Sequence, residues 1–149
     1  MKYSKQRQLV YRILKSTDIH PTAYWVYQKA SREMPGIGLA TVYRNLNDLV
    51  KSGHAVTITT AGNKVHYDAR TDEHLHFQCE CCGRILDLVP TAKEGTEPVR
   101  RALREAFGVA ERNVRIEKTL LQGICNNCLK QQNRESCPSC PFDDRKTGS

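Results

Sequence analysis

Two Cys-x-x-Cys pairs, Cys79/Cys82 and Cys125/Cys128, constrain this chain more than any apolar run does. Each pair presents two sulfurs from one tight loop, and two such loops on neighbouring strands can close a tetrahedral Zn(II) site of four thiolates. A fold that uses both pairs must therefore bring residue 79 beside residue 125. Structural zinc of this kind contributes on the order of 10 kcal/mol to folding, comparable to the whole net stability of a small domain. The first pair lies in a donor-rich stretch, His66 to Asp87, where three histidines, three cysteines and five acidic residues fall within 22 positions. Here Asp68, His74, His76 and Asp87 offer nitrogen and oxygen donors. A second ligand set of different softness implies a second metal with a different job.

The 149 residues suffice for one ordinary domain or two small ones, and two are expected. Their limits are read as residues 1–68 and 74–132, with a short polar hinge at 69–73 and a polar, cysteine-containing tail at 133–149. No apolar signal segment follows Met1, so the seven cysteines point to metal thiolates in a reducing cytoplasm rather than to disulfides. No run approaches the roughly 18 apolar residues that a membrane span needs. The net charge of +7 is localised: residues 1–65 carry ten Lys or Arg against three acids, whereas residues 66–149 carry thirteen against thirteen. All the excess is in the first half, where charge alone fits a solvated face as well as a surface for a polyanionic partner.

The first half reads as three helices and a hairpin. Ser4 is placed to cap a helix whose Leu9, Val10, Ile13 and Leu14 recur at helical spacing. Thr22 caps a second, which runs to about Met34 before Pro35-Gly36 stops it. The third, about Leu39 to Lys51, puts Leu39, Val42, Leu46, Leu49 and Val50 on one face and Thr41, Tyr43, Arg44 and Asn47 on the other. Two β-rich runs follow, Ala55 to Thr60 and Lys64 to Tyr67, around the turn-forming Ala61-Gly62-Asn63. This order describes a winged helix-turn-helix, in which the last helix enters the major groove of DNA and surrounding basic residues hold phosphates; on pattern alone the alternative is a helical bundle with a decorative hairpin.

In the second half, 75–78 and 84–88 read as strands on either side of the cysteine knuckle, and 94–107 as a helix with Val99, Leu103, Ala106 and Phe107 inward. Arg112 to Ile124 alternates as a long strand with Val114, Ile116 and Leu120 on one side. A short polar helix follows Cys128. The fold class expected is α+β, an amino-terminal winged helix plus a carboxy-terminal α/β domain. Residues two apart in a strand point the same way, so His74 and His76 share a face and can converge with Asp87 and Asp68. His20, in the connection between the first two helices, is a fifth candidate. Cys81 reads as an inert or partly buried thiol, and the Cys137/Cys140 pair, which could bind another metal, form a redox disulfide, swap into the zinc site or simply belong to a polar tail, is left outside the zinc site.

These motifs together resemble the ferric uptake regulator (Fur) family of bacterial metal-dependent repressors. They are His20-Pro21-Thr22-Ala23, residues 39–46, His66-Tyr67-Asp68, residues 74–83, Asp87 and the second Cys-x-x-Cys pair. The resemblance covers about residues 4–132. It implies a homodimer on double-stranded operator DNA, structural Zn(II) in Cys79, Cys82, Cys125 and Cys128, and a dimerisation role for the second domain. Its ligand set looks most like the peroxide-sensing PerR branch, which implies regulatory Fe(II) or Mn(II) held by His20, Asp68, His74, His76 and Asp87. In that branch the oxidation-sensitive ligands would be His20 and His74. Iron-sensing members carry an additional site around the strand histidines; Glu73 and Leu75 stand there in this chain, so that site is expected to be absent. Arg44 departs from the peroxide-sensing pattern and is commoner in iron sensors.

Three imidazoles and two carboxylates with an open position favour Fe(II) or Mn(II) over a closed thiolate-rich zinc site. The reading that follows is a peroxide-sensing repressor, not an enzyme, with an iron- or zinc-responsive repressor as the runner-up. A metal-dependent hydrolase could use the same histidines and aspartates to activate water. It explains neither the localised charge nor the Tyr43-Arg44 helix, and a metal-storage protein has no need of a winged helix.

Overall fold

The computed structural model describes residues 4–109, 116 and 119–130, and the chain divides into two compact units, Met1–Asp72 and Glu73–Ser149. The fold is α+β. In the first unit the helices are α1 (Lys5–Lys15), α2 (Ala23–Glu33) and α3 (Leu39–Lys51), followed by strands β1 (Val56–Thr59) and β2 (Val65–Asp68). Both expected caps form: the Ser4 side chain accepts from the Arg7 amide at 3.2 Å and Thr22 Oγ1 from the Trp25 amide at 3.3 Å, each satisfying one orphan donor of a first turn. The apolar stripes of the three helices meet in one core with Leu9, Val10, Ile13, Leu14, Val26 and Leu46 buried among them. β1 and β2 pair antiparallel from Val56↔Asp68 to Thr59↔Val65. Gly62 and Asn63 at their tip both take positive φ, 81° and 61°, which tight hairpin turns demand.

α3 departs from its expected face in two places. Leu39, its first residue, is exposed and Val50 is half-buried, whereas Asn45 is buried. The amide of Asn45 is tolerated because its Nδ2 donates to the Thr41 carbonyl at 2.9 Å, one helical turn back.

The second unit is a three-stranded sheet in the order β4-β3-β5, with β3 (Leu75–Cys79), β4 (Ile85–Leu88) and β5 (Leu120–Gly123). β3 runs antiparallel to β4 and parallel to β5, so α4 (Glu97–Phe107) lies in the crossover. α5 (Asn126–Lys130) closes the described part. The register positions both sets of candidate metal donors. His76 pairs with Asp87 across β3 and β4, while Cys79 pairs with Gly123 across β3 and β5, two residues before Cys125. Gly123 permits that approach: a Cβ there would stand 3.1 Å from the Phe77 ring.

The buried cluster of this unit consists of Cys79, Cys125 and Cys128, with Phe77, Cys82 and Leu86 packed against it. α4 corrects the sequence reading. Val99, Ala106 and Phe107 are exposed, Phe107 at 74%, and Leu103 is half-buried, so no residue of the helix is buried. The stripe is amphipathic as expected, but a sheet of three short strands offers it no second apolar layer among the described residues. Of the long strand expected over Arg112–Ile124, β5 is the described part, and Ile116 and Thr119 stand outside any strand. Val114 and the Cys137/Cys140 pair lie outside the described residues. No helix among the described residues is long and apolar enough to cross a membrane.

Candidate metal centres and nucleic-acid surface

The knuckle between β3 and β4 brings Cys79 and Cys82 to one end of the sheet, where Cys125 and Cys128 arrive from β5 and α5. The four sulfurs lie within 4.8 Å of one another, with Cys82 and Cys125 at 4.0 Å. A tetrahedral ion with Zn–S bonds of about 2.3 Å holds its sulfurs about 3.8 Å apart, so the cluster has the size and the donor chemistry for Zn(II). Its electrostatics are prepared as well. Burial alone would push the Cys79 thiol up, but the backbone N–H groups of Cys125, Cys82 and Cys81 donate to its sulfur and bring it down to about 6. These donors favour the thiolate form of Cys79, the form that binds a metal. Cys128 goes the other way, raised by burial and by the neighbouring thiols of Cys125, Cys79, Cys82 and Cys81. Cys81 itself is exposed.

The nitrogen and oxygen donors gather as two half-sets, one in each unit. In the first unit His20 Nε2 lies 3.6 Å from Asp68 Oδ2, both side chains almost wholly buried. Asp68 Oδ1 accepts the Arg70 amide at 2.7 Å, which fixes the carboxylate and leaves Oδ2 to face the imidazole. His20 itself stands at φ 53°, a left-handed conformation that a residue preceding proline rarely adopts.

In the second unit His74 and His76 are buried, at 6% and 3% exposure, and their Nε2 atoms lie 2.9 Å apart. Asp87 Oδ1 is 3.1 Å from the first and 3.5 Å from the second. Two imidazole nitrogens at that distance either share one proton or turn both lone pairs to one cation. A half-buried carboxylate on the same point suits the cation.

Sequence reasoning missed the polar contacts beside this half-set. Thr96 Oγ1 donates to Glu73 Oε1 at 2.6 Å, and Arg100 Nη2 reaches both carboxylate oxygens, Oε2 at 2.5 Å. The Thr96 hydroxyl and then the Arg100 guanidinium hold the Glu73 carboxyl below the usual range, against its partial desolvation. The residue before His74 is thereby tied to the start of α4. Such long-range polar pairs carry no periodic signal in a sequence.

On α3, Tyr43, Arg44 and Asn47 are exposed along one face and Thr41 is half-buried beside them. Exposed Tyr43 on a helix whose opposite face is core is available to a partner.

The model of the ferric uptake regulator family matches residues 1–117. The chain belongs to the ferric uptake regulator family. The family is one of transcriptional regulators, and this member is a metal-dependent, DNA-binding repressor by kinship. The peroxide-responsive repressor PerR of Staphylococcus epidermidis is 30% identical over 133 residues, covering 89% of this chain and 85% of the relative. A solved structure, the peroxide stress regulator of Campylobacter jejuni, is 32% identical with a TM-score of 0.63, covering 83% of this chain and 88% of that one. The ferric uptake regulator of Helicobacter pylori, 22% identical with a TM-score of 0.70 over 91% of this chain and 85% of that one, shares the fold.

Proposed function

We propose that the chain is a peroxide-responsive repressor that binds double-stranded operator DNA in the cytoplasm as a homodimer. In this reading Cys79, Cys82, Cys125 and Cys128 hold structural Zn(II). His20, Asp68, His74, His76 and Asp87 hold regulatory Fe(II) or Mn(II). The observation that carries it is the convergence of His74 Nε2, His76 Nε2 and Asp87 Oδ1 on one point, separate in place and softness from the thiolate cluster. The buried His20 and Asp68 pair supplies two further donors of the same class. Neither half-set alone fills the coordination shell that Fe(II) or Mn(II) prefers. In this reading metal binding favours the DNA-competent form of the dimer.

Homodimerisation finds support in the apolar surface of the second unit, where Val99, Phe107, Leu121, Ile124 and Leu129 are exposed. A second copy of this chain is the occupant that kinship supplies.

Metal removal tests the regulatory reading. A chelator that strips the nitrogen and oxygen site but not the thiolate site should abolish specific DNA binding in a fluorescence-anisotropy titration while circular dichroism and zinc content stay unchanged. By linkage, operator DNA should in turn tighten Mn(II) binding. Full-affinity DNA binding by the chelated protein would sink the proposal. Restoration by Fe(II) or Zn(II) without peroxide sensitivity would favour the iron- or zinc-responsive alternative.

The α3 surface gives a second prediction. With Tyr43, Arg44, Asn47 and Thr41 facing base edges, Tyr43→Ala should lose about 1–3 kcal/mol of discrimination between operator and random duplex. Salt-sensitive binding to random DNA should persist, because it rests on phosphate contacts. Equal losses on both duplexes would show that Tyr43 holds backbone rather than reads bases.

A further inference from the structure

His66 is a histidine of the donor-rich stretch that the ligand set leaves out, and its contacts give it a different task. On β2 the period of two puts His66 and Asp68 on one face and Tyr67 on the other, in the helical core. His66 Nδ1 lies 2.7 Å from the His20 carbonyl oxygen. A carbonyl only accepts, so Nδ1 carries the proton and donates, which fixes the His66 tautomer. One residue on, the Tyr67 amide donates to the Pro21 carbonyl at 2.9 Å, and one further, Asp68 Oδ2 meets His20 Nε2 at 3.6 Å. Three consecutive residues of the wing therefore hold two consecutive residues of the α1–α2 connection, in register.

That register matters because His20 is not in a relaxed conformation. A β-carbon residue before proline at φ 53° persists only where its surroundings over-determine it. Pro21, whose ring is fully buried, anchors one side of the strained peptide, and the His66 ring takes the carbonyl between the two residues. Without that donor the His20 carbonyl loses its polar partner from the wing, and the backbone is released toward the extended conformation that residues before proline prefer. The imidazole of His20 would then swing away from Asp68.

We propose that His66 is a positioning residue for the regulatory metal: by donating Nδ1–H to the His20 carbonyl it holds the His20 imidazole in ligand geometry against Asp68. The inference rests on the reading of His20 as a ligand. It makes the wing the part that sets the first unit's contribution to metal affinity. Outer partners that orient metal-bound histidines typically account for tenfold to a hundredfold in affinity.

The test compares His66→Leu and His66→Val, which cannot donate, with His66→Asn, whose Nδ2 occupies the place of Nδ1 and can. The full-length zinc-loaded protein is titrated with Mn(II), free Mn(II) being read by electron paramagnetic resonance, and the Tyr67 amide is followed by hydrogen exchange before Mn(II) is added. H66L and H66V should weaken Mn(II) binding about tenfold and speed exchange at Tyr67, with zinc content unchanged, and H66N should restore both. Wild-type affinity in H66L or H66V overturns the inference. Failure of H66N to rescue overturns it too, because the ring would then act by packing or as a ligand. H20A separates the two levels of argument: it should lose more than H66L, and if it binds Mn(II) like wild type, the ligand reading itself fails. If H20A loses binding while the His66 variants do not, the ligand reading stands and the positioning role is withdrawn.

Discussion

Cys79→Ser is expected to unfold the second unit rather than weaken it. Among the described residues the buried cluster there consists of Cys79, Cys125 and Cys128, with Phe77, Cys82 and Leu86 packed against it, and α4 buries no side chain. A structural zinc contributes on the order of 10 kcal/mol, as much as a small domain's entire margin, so little remains when one thiolate is lost. Cys79 is the most exposing choice of the four. Its sulfur accepts the amides of both Cys82 and Cys125, at 3.5 Å and 3.3 Å, and so it joins the two knuckles even before a metal does. The first unit should survive, since its core of Leu14, Val26, Leu46 and their neighbours contains no metal donor. Calorimetry of the variant should show one remaining transition, zinc analysis should show no bound metal, and amide protection should vanish from β3 to β5 while persisting in α1 to α3. A folded, zinc-bound C79S dimer would remove the structural assignment.

The two units were not equally legible, and the difference is physical. In the first, every helix has a periodic apolar stripe and a recognisable start or stop, and the stripes face one another. Ser4, Thr22 and Pro35-Gly36 could therefore be read as boundaries, because capping is a local transaction between residues three apart. The same locality made the register of β3 informative: once His76 lies on a strand, its cross-strand partner Asp87 follows from the knuckle between them. α4 was misjudged for the converse reason. An amphipathic helix states that a face will be covered but not by what, and Val99 and Phe107 find no cover within the described chain. Asn45, Glu73 with Thr96 and Arg100, and the left-handed backbone of His20 were invisible as well. Each depends on a polar partner or a strained angle supplied by tertiary packing, which leaves no repeat in the sequence.

Peroxide should release the Fe(II)-loaded protein from its operator and leave the Mn(II)-loaded protein bound. Fe(II), if held by His20, Asp68, His74, His76 and Asp87, would supply the one-electron reduction of peroxide beside its own ligands, a step Mn(II) does not readily drive. The chain decides what that chemistry strikes. His20 and His74 are buried imidazoles within reach of carboxylates, and family resemblance marks them as the targets. Overall, an imidazole C–H becomes C–OH and peroxide becomes water, so the modified peptide gains one oxygen. On the proposed ligand set the effect on DNA binding should be large: losing His20 removes a donor from the pair with Asp68, and losing His74 breaks the pair with His76. A thiol route competes, since Cys81 is exposed and Cys79 is acidified to about 6. The thiolate so favoured is one that zinc would hold, and zinc-bound thiolates are generally less nucleophilic than free ones. Peptide mass spectrometry after matched peroxide doses separates the two routes. The iron form should carry the added oxygen on the His20 or His74 peptide, with zinc retained and operator binding lost; the manganese form should show neither change. Loss of DNA binding in both forms, with oxidation confined to cysteines, would make the thiolate cluster the sensor and leave the histidine site a site of metal sensing only.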